Sequence, residues 1–273
     1  MYQQTDPPRS PREVLPTMYD LPSEDPEEPG LPDEFHYLQP QLLRETFRPP
    51  NYPVEQICIA SDLNLYYDPR HPLWYKRPDW FAVLGVPRLY DQQELRLSYV
   101  VWQEGISPLI IVELLSPGTE KEDLGQTLRD AEQPPTKWEV YERILRIPYY
   151  IVFDRYSYDL RVFQLDGSRY RQLTLENDRL WLPDAELGIG IWQGDYQQIT
   201  GHWLRWYDAA GNWLPTPVEQ LELEQQQVQQ ERQRAEQERQ RAEQERQRAE
   251  QERQRAERLI EQLRSLGIEP DLQ

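Results

Sequence analysis

Residues 108–118 read PLIIVELLSPG, and this stretch decides the fold of the chain. Its apolar run ends at Leu115 and is almost continuous, which is typical of a strand buried on both faces of a central sheet. The Ser-Pro-Gly that follows ends the strand. The one interruption is Glu113, a carboxylate in the middle of the run. A buried carboxylate is costly unless it is paired or binds a metal, so Glu113 marks a candidate functional site.

Other β-forming segments lie on both sides of this strand in the sequence. Residues 120–146, between two of them, are polar and helical in character, and Thr136 with Glu139 forms a capping-box pattern for the second helix there. The predicted strands cover residues 55–67, 79–86, 96–104, 108–115, 148–153, 158–165 and 170–175.

Composition divides the 273 residues into three parts. Residues 1–50 are acidic and rich in proline, and we expect them to be disordered because they bury too little to offset their ordering entropy. Residues 51–215 are rich in Trp, Tyr, Ile, Val and Leu and can bury one core. Residues 216–273 form the third part, which has a repeat of its own.

The C-terminal part repeats Glu-Arg-Gln-Arg-Ala-Glu-Gln with a period of seven from residue 231 onward. These residue types favour helix, and opposite charges fall three and four residues apart. One heptad position is apolar, but the positions three and four later are Glu and Arg, so the second apolar seam of a coiled coil is missing. We expect a long charged helix, either single or in a weak coiled coil, through which a homodimer or a protein partner would associate.

Composition also limits the compartment and the partners. Cys58 is the one cysteine, so the chain has no internal disulfide framework. No apolar run reaches the ~20 residues that span a bilayer, and the N-terminus lacks the pattern of a signal peptide. We therefore expect a cytoplasmic protein without membrane contact. The net charge of −18 is unfavourable for tight non-specific binding of nucleic acid.

Three polar residues follow one another in an order that suits chemistry on phosphates. Asp79 precedes a predicted strand, Glu113 lies inside the next buried one, and Lys137 opens a helix. Two carboxylates from adjacent strands suit Mg²⁺, and a nearby ammonium would stabilise developing charge. Two structural alternatives remain at this point: Asp79 after Pro78 forms only a turn, and Glu113 pairs with an arginine.

The motifs around these residues carry a family resemblance over roughly residues 55–165. They are RPDWFAVL (77–84), IVELLSPGT (111–119), Asp123, KWEVY (137–141) and IPYYIVFD (147–154). Together they resemble the Uma2 family of restriction-endonuclease-like proteins, which belongs to the PD-(D/E)XK nuclease superfamily. The Ser-Pro-x-Thr after the buried Glu is the most specific piece.

The resemblance implies a restriction-endonuclease-like α/β core, in which helices flank a bent mixed central sheet. It also implies an endonuclease that hydrolyses phosphodiester bonds of DNA with Mg²⁺ or Mn²⁺. By matching position, Asp79 and Glu113 would bind the metal, and Asp79, Glu113 and Lys137 would be catalytic. The standard motif would place a lysine two residues after Glu113, where this chain has Leu115. Lys137 would replace that lysine, and Lys121 is the competing candidate.

Other polar residues have ordinary interpretations. Asp62 either joins the site or ends a strand, and Tyr141 is expected to pack. None of the histidines has metal-ligand spacing with another; His36 falls in the segment expected to be disordered. The alternative function is a catalytically inactive nuclease fold that binds a protein partner through its acidic surface and helical tail. A purely structural scaffold would leave the folded middle and Glu113 unexplained.

Overall fold

The computed structural model describes residues 33–116, 120–127 and 133–265. The chain divides into two compact units, Met1–Thr216 and Pro217–Gln273. The first unit has a mixed α/β fold. Its helices are α1 (Phe35–Thr46), α2 (Val101–Glu104), α3 (Glu120–Asp123) and α4 (Lys137–Glu139), which a π-helical turn (Val140–Ile144) extends.

The strands of the first unit form three sheets. Their bounds are β1 (Ile57–Ala60), β2 (Leu65–Tyr66), β3 (Tyr75–Lys76), β4 (Trp80–Leu84), β5 (Tyr99–Val100), β6 (Ile110–Leu114), β7 (Tyr149–Asp154), β8 (Asp159–Asp166), β9 (Arg169–Gln172), β10 (Arg179–Leu182), β11 (Leu187–Tyr196) and β12 (Ile199–Tyr207). The largest sheet has the order β1-β4-β6-β7-β8-β9, and the smaller ones have the orders β10-β11-β12 and β3-β2-β5.

The central strands of the largest sheet are the apolar runs of the sequence. In β6 every residue is buried, and β7 is buried in all but its last position. Strand β6 pairs in parallel with β7 and antiparallel with β4, so the sheet is mixed, as expected. Two apolar clusters cover its two faces. The sheet therefore fixes β4 and β6 side by side in the interior.

The prediction of disorder up to residue 50 is wrong for residues 33–50. Helix α1 lies in that range, and Leu42 and Leu43 are completely buried. The Asp33 carboxylate accepts the His36 main-chain N–H at 3.1 Å, which caps the start of the helix. Gln39 exchanges two hydrogen bonds with the main chain of Leu204 in β12, at 2.9 and 2.8 Å. Burial and these bonds outweigh the proline-rich composition; residues 1–32 lie outside the described residues.

Truncation distinguishes the two parts of this N-terminal segment. We expect a chain that begins at Asn51 to lose about 5 kcal/mol or more of unfolding free energy, because Leu42, Leu43 and Phe47 are buried in the full chain. Its thermal midpoint would fall by about 10 °C or more. A chain that begins at Asp33 is the control, and the composition of residues 1–32 predicts that it melts like the full chain. Equal midpoints for both truncations would contradict this role of α1.

Residues 96–104 were expected to alternate as one strand, and this expectation is wrong for most of the range. Only Tyr99 and Val100 pair, in parallel with β2. The chain then turns into α2, which ends at Gly105 in the left-handed conformation with φ of 71°. Glycine adopts this conformation at little cost, so it provides the stop signal for the short helix.

The second unit contains one long helix, α5 (Pro217–Ser265). No residue of this helix is buried. Side-chain bonds four residues apart recur along it, as between Gln240 and Glu236 at 3.3 Å and between Arg253 and Glu257 at 3.2 Å. Such pairs stabilise a solvated helix. None of the described helices is long and apolar enough to cross a bilayer.

We predict that a peptide of residues 217–265 is helical and mostly monomeric at micromolar concentration. Its only apolar seam is made largely of alanine, which buries too little surface for a stable pair of helices. Sedimentation equilibrium and circular dichroism at low and high salt measure both properties. A tight dimer that persists in high salt would contradict this prediction.

Candidate metal and phosphate site

Glu113 is held on one face of the central sheet, together with Asp79. Trp80 of β4 pairs with Val112 of β6, so the next pair along the ladder brings Asp79 opposite Glu113. Side chains alternate between the two faces of a sheet, so Asp79 lies on the same face as Phe81, and Glu113 on the same face as Ile111. Phe81 and Ile111 pack in the same apolar cluster. The fold therefore brings both predicted carboxylates to one face.

Glu113 is completely buried and accepts three hydrogen bonds. The Lys137 ammonium donates to its Oε2 at 2.9 Å, and the main-chain N–H of Asp79 donates to the same oxygen at 3.4 Å. The Tyr141 hydroxyl donates to Oε1 at 2.9 Å. The expectation that Tyr141 only packs is therefore incomplete, because its ring is buried while its hydroxyl orients Glu113.

Lys137 lies between two buried carboxylates. It is the first residue of α4, which a capping box between Thr136 and Glu139 begins, as the sequence predicts. Its ammonium lies 2.9 Å from Glu113 and 2.9 Å from Oδ1 of Asp123. Asp123, the last residue of α3, is completely buried, and its main-chain oxygen accepts the Tyr150 hydroxyl at 2.9 Å. Asp123 is part of a family motif in the sequence, but the motif alone does not predict its place in the site.

Lys121, the competing lysine, is exposed. Its neighbour Glu122 instead contributes to the surroundings of Lys137, because its Oε1 accepts the Lys137 main-chain N–H at 3.3 Å. The same oxygen lies 3.0 Å from the ammonium of Lys76, which is buried. Lys76 therefore adds a second positive charge near the site that the motifs did not indicate.

Asp79 is half-buried, and its Oδ2 accepts the main-chain N–H of Leu114 at 2.6 Å. The carbonyl oxygen of Leu114 lies 3.0 Å from Nε2 of His36, and Nδ1 of His36 lies 2.9 Å from Oδ1 of Asp33. Arg155 pairs with the other oxygen of Asp33 at 3.1 Å. His36 is thus a buried neighbour of the site, and its placement in a disordered segment is wrong.

The site contains more acidic than basic side chains, and they shift each other's pKa values. Burial raises the pKa of Glu113 well above its usual range; the Lys137 ammonium opposes this rise, and Asp123 and Asp79 add to it. Burial also raises the pKa of Asp79, against Lys137. For Lys137, burial alone would lower the pKa, but the charges of Asp123, Glu113 and Asp79 outweigh it and raise the pKa well above its usual value. The lysine is therefore a fixed cation.

Three carboxylates around one ammonium leave a surplus of negative charge in a poorly hydrated place. Oxygen donors of this kind suit a hard divalent cation, which would neutralise the surplus. Asp79 is half-buried, whereas Glu113 and Asp123 are completely buried. Within the described residues, no three His, Cys, Asp or Glu side chains are arranged as a ready metal-binding group. The donor chemistry therefore fits a cation held by two carboxylates and other oxygens.

The remaining polar candidates lie in structural contacts. Asp62 pairs with Arg77 at 2.7 Å in a turn where its φ is 51°. His71 bonds to Asp68 at 2.8 Å and stacks on a tryptophan. His202 lies in β12, and its ring contacts the ring of a tyrosine. Cys58 is buried, as expected.

The comparison with family models agrees with the family motifs. The model of the Uma2 family, described as "Putative restriction endonuclease", matches residues 15–200. A solved structure described as "a putative nuclease belonging to DUF820" from Anabaena variabilis is 13% identical, covering 48% of this chain and 63% of its own length, with a TM-score of 0.30. The chain thus spans less than two thirds of that protein. No curated protein matches the chain.

Proposed function

Because the chain belongs to the Uma2 family, we propose that it is a divalent-metal-dependent endonuclease that hydrolyses phosphodiester bonds of DNA. The observation that carries this proposal is the Lys137 ammonium, which lies 2.9 Å from each of two buried carboxylates beside Asp79. A structural ion pair needs one carboxylate for each ammonium. The surplus of carboxylates is what a site for a cation and a phosphate requires.

Asp79 and Glu113 would hold the ion, Mg²⁺ or Mn²⁺, which would polarise the phosphate and lower the pKa of an attacking water. Lys137 remains protonated and presents its charge where negative charge develops on the phosphate. Asp123 holds the Lys137 ammonium in place, and Tyr141 orients Glu113. Both are positioning residues, because they act through the groups that would touch the ion or the substrate.

A cleavage assay tests the proposal. Plasmid DNA, linear duplex, single-stranded DNA and RNA are incubated with the protein in Mg²⁺, in Mn²⁺ and in a chelator. We expect metal-dependent cleavage of DNA that falls about a hundredfold in Asp79→Asn. Asp62→Asn is the matched control, because Asp62 follows β1 at the end of the β1–β4 ladder where Asp79 lies but pairs with Arg77, and it should cut within about twofold of wild type.

A second function has one observation in its favour, the net charge of −18. An acidic surface repels nucleic acid, and the solvated helix α5 offers a long surface to another protein. In this alternative the nuclease fold is inactive and binds a protein partner, or a second copy of the chain, through that helix. Wild-type protein that binds no metal and cuts none of the four substrates would favour this alternative.

A further inference from the structure

A pocket of about 250 Å³ lies at the free edge of the central sheet, outside the site described above. Strand β1 forms this edge, since it pairs with β4 on one side only. Three arginines line the pocket, together with the small side chains of Cys58 and Ser61. The arginines are Arg44 from α1, and Arg88 and Arg96 from the segment after β4. Such a group of cations is unexpected in a chain with a net charge of −18.

Two of these arginines have no carboxylate partner among the residues that the structure describes. Arg96 is neutralised by Glu104, with which it forms an ion pair. Among the described residues, neither Arg44 nor Arg88 forms an ion pair with a carboxylate, whereas one Nη of Arg44 donates to the main-chain oxygen of Ile59 at 2.6 Å. Desolvation at the pocket wall and the charge of Arg88 both lower the pKa of Arg44, although the residue as a whole is exposed. The two guanidinium groups therefore repel each other across the pocket.

The other polar groups of the pocket have hydrogen bonds to give and no charge to oppose an anion. The Ser61 hydroxyl is buried and has no hydrogen-bond partner within the part of the chain that the structure describes. An unsatisfied buried hydroxyl is costly and points to an absent partner. Burial raises the pKa of the Cys58 thiol, so this group stays neutral. Among the described residues, the pocket thus combines two guanidinium groups that have no carboxylate partner with one hydroxyl that has no hydrogen-bond partner.

The pocket runs along β1 from Arg88, whose main-chain N–H donates to the Glu55 oxygen at 3.0 Å, to Ser61, which lies at the same end of the sheet as the carboxylate site. Ala60 pairs with Phe81, and the N–H of Asp62 donates to the Pro78 oxygen at 3.1 Å, so Ser61 lies beside the start of β4. Asp79 directly precedes β4, and Glu113 is one strand further. With about 4.8 Å between strands, Ser61 is roughly 10 Å from the Glu113 position along the sheet. A single bound strand of nucleic acid would reach both.

We propose that the Arg44–Arg88 pocket binds a phosphate group, and that this phosphate belongs to the nucleic-acid strand whose scissile phosphodiester, further along the same strand, is at Asp79 and Glu113. Guanidinium groups bind phosphate oxygens through paired hydrogen bonds, and the Ser61 hydroxyl supplies another donor. The assignment of the phosphate to a substrate strand rests on the proposed function. The pocket supplies local positive charge that the acidic chain needs in order to hold a polyanion.

The test compares ligand binding by two double variants. One is Arg44→Gln/Arg88→Gln, and the other, the control, is Arg169→Gln/Arg171→Gln. The control pair removes the same charge from exposed positions on β9, the strand at the opposite edge of the sheet. Binding of a labelled single-stranded and a labelled duplex oligonucleotide is measured by fluorescence anisotropy in a chelator, so cleavage plays no part. Inorganic phosphate is titrated by calorimetry in parallel. Thermal midpoints of all variants are recorded.

We expect the Arg44→Gln/Arg88→Gln variant to bind the oligonucleotide about tenfold more weakly than the control pair. The slope of the logarithm of its affinity against the logarithm of the salt concentration should fall by about one phosphate contact. If it loses only its affinity for inorganic phosphate, the pocket is a phosphate site whose ligand is a free anion instead of the strand. If it binds both probes as the control does, or wild type binds neither, the proposal is overturned.

Folding is a separate question, because Arg44 also bonds to the main chain of β1. If the double variant melts early, Arg88→Gln alone gives the answer, since the Arg88 side chain is exposed. We expect this single variant to show the same loss to a smaller extent, and unchanged binding of both probes would overturn the proposal. Wild-type protein that binds both probes but cuts nothing would count against the nuclease function and leave the phosphate site standing.

Discussion

Replacing Lys137 with alanine should abolish metal-dependent cleavage of DNA, with a loss of about a hundredfold or more. The Lys137 ammonium lies 2.9 Å from Glu113 and from Asp123, and it is the cation nearest to both. Without it, Glu113 and Asp123 lose the ammonium that contacts them, and the nearby Lys76 is already paired with Glu122. Initial rates of plasmid cleavage in Mg²⁺ measure the loss.

Lys121→Ala is the matched control for this variant. Lys121 is a lysine of the same segment, but it is exposed and points its charge to solvent, so its removal should change the rate less than about threefold. Circular dichroism should show that both variants fold. The Lys137→Ala protein leaves Glu113 without its cation, so we expect the pKa of this carboxyl to rise further and the protein to stay folded. A Lys137→Ala protein that cuts at the wild-type rate would exclude Lys137 from catalysis.

Replacing Glu113 with glutamine should abolish cleavage and, in a chelator, should raise the thermal midpoint at alkaline pH. The side chain keeps its shape, its amide oxygen can still accept from Lys137 and its amide NH2 can donate to the Tyr141 hydroxyl, but it can no longer carry a charge. Burial raises the pKa of Glu113 in the folded protein above the value of 4.5 expected for the unfolded chain. Its contribution to stability is therefore present below about pH 4.5 and is lost as the pH rises through the folded pKa.

The variant escapes that loss, so its advantage over wild type should grow between pH 5 and 8. We expect about 1–2 kcal/mol, which is a few degrees in thermal midpoint for a unit of this size. Addition of Mg²⁺ should stabilise wild type and leave Glu113→Gln unchanged, which removes the difference. Differential scanning calorimetry over this pH range provides the data. A variant that melts lower than wild type at every pH would show that the charged form of Glu113 stabilises the fold.

Much of the central sheet follows from the sequence because buried strands carry a local signal. Strands β6 and β7 correspond to almost continuous apolar runs in the sequence. Such a run is typical of a strand buried on both faces of a sheet. The order of Asp79, Glu113 and Lys137 in the motifs also indicated which side chains to examine. Strand pairing then explains their proximity, because β4 and β6 are neighbours.

Other features depend on partners that are distant in the sequence. His36 contacts Leu114, 78 residues away, and Gln39 contacts Leu204, 165 residues away. Residues 1–50 contain many prolines, and in their overall composition these prolines outweigh the apolar residues of α1. Composition alone therefore did not predict the helix. The apolar spacing of Leu38, Leu42 and Leu43 was a local signal that could have revealed it. The two-residue strands β2, β3 and β5 are too short to leave a pattern.

Asp123 shows a third reason why the site was incomplete. It lies in a run of charged residues, and such runs are usually solvated, so only its place in the family motif drew attention to it. The structure buries it completely under α4 and next to Lys137. A charged residue that is buried with an ion partner can be recognised only after the packing of the neighbouring helix is known.

The central claim is that Asp79 and Glu113 hold one divalent ion, and calorimetric titration of Mn²⁺ into the folded protein tests it most directly. The same titration into Asp79→Asn, Glu113→Gln and the control Asp62→Asn accompanies it. We predict that wild type and the control bind one ion per chain, and that both site variants lose this binding. Wild-type protein that binds no ion, or site variants that bind it as wild type does, would contradict the claim.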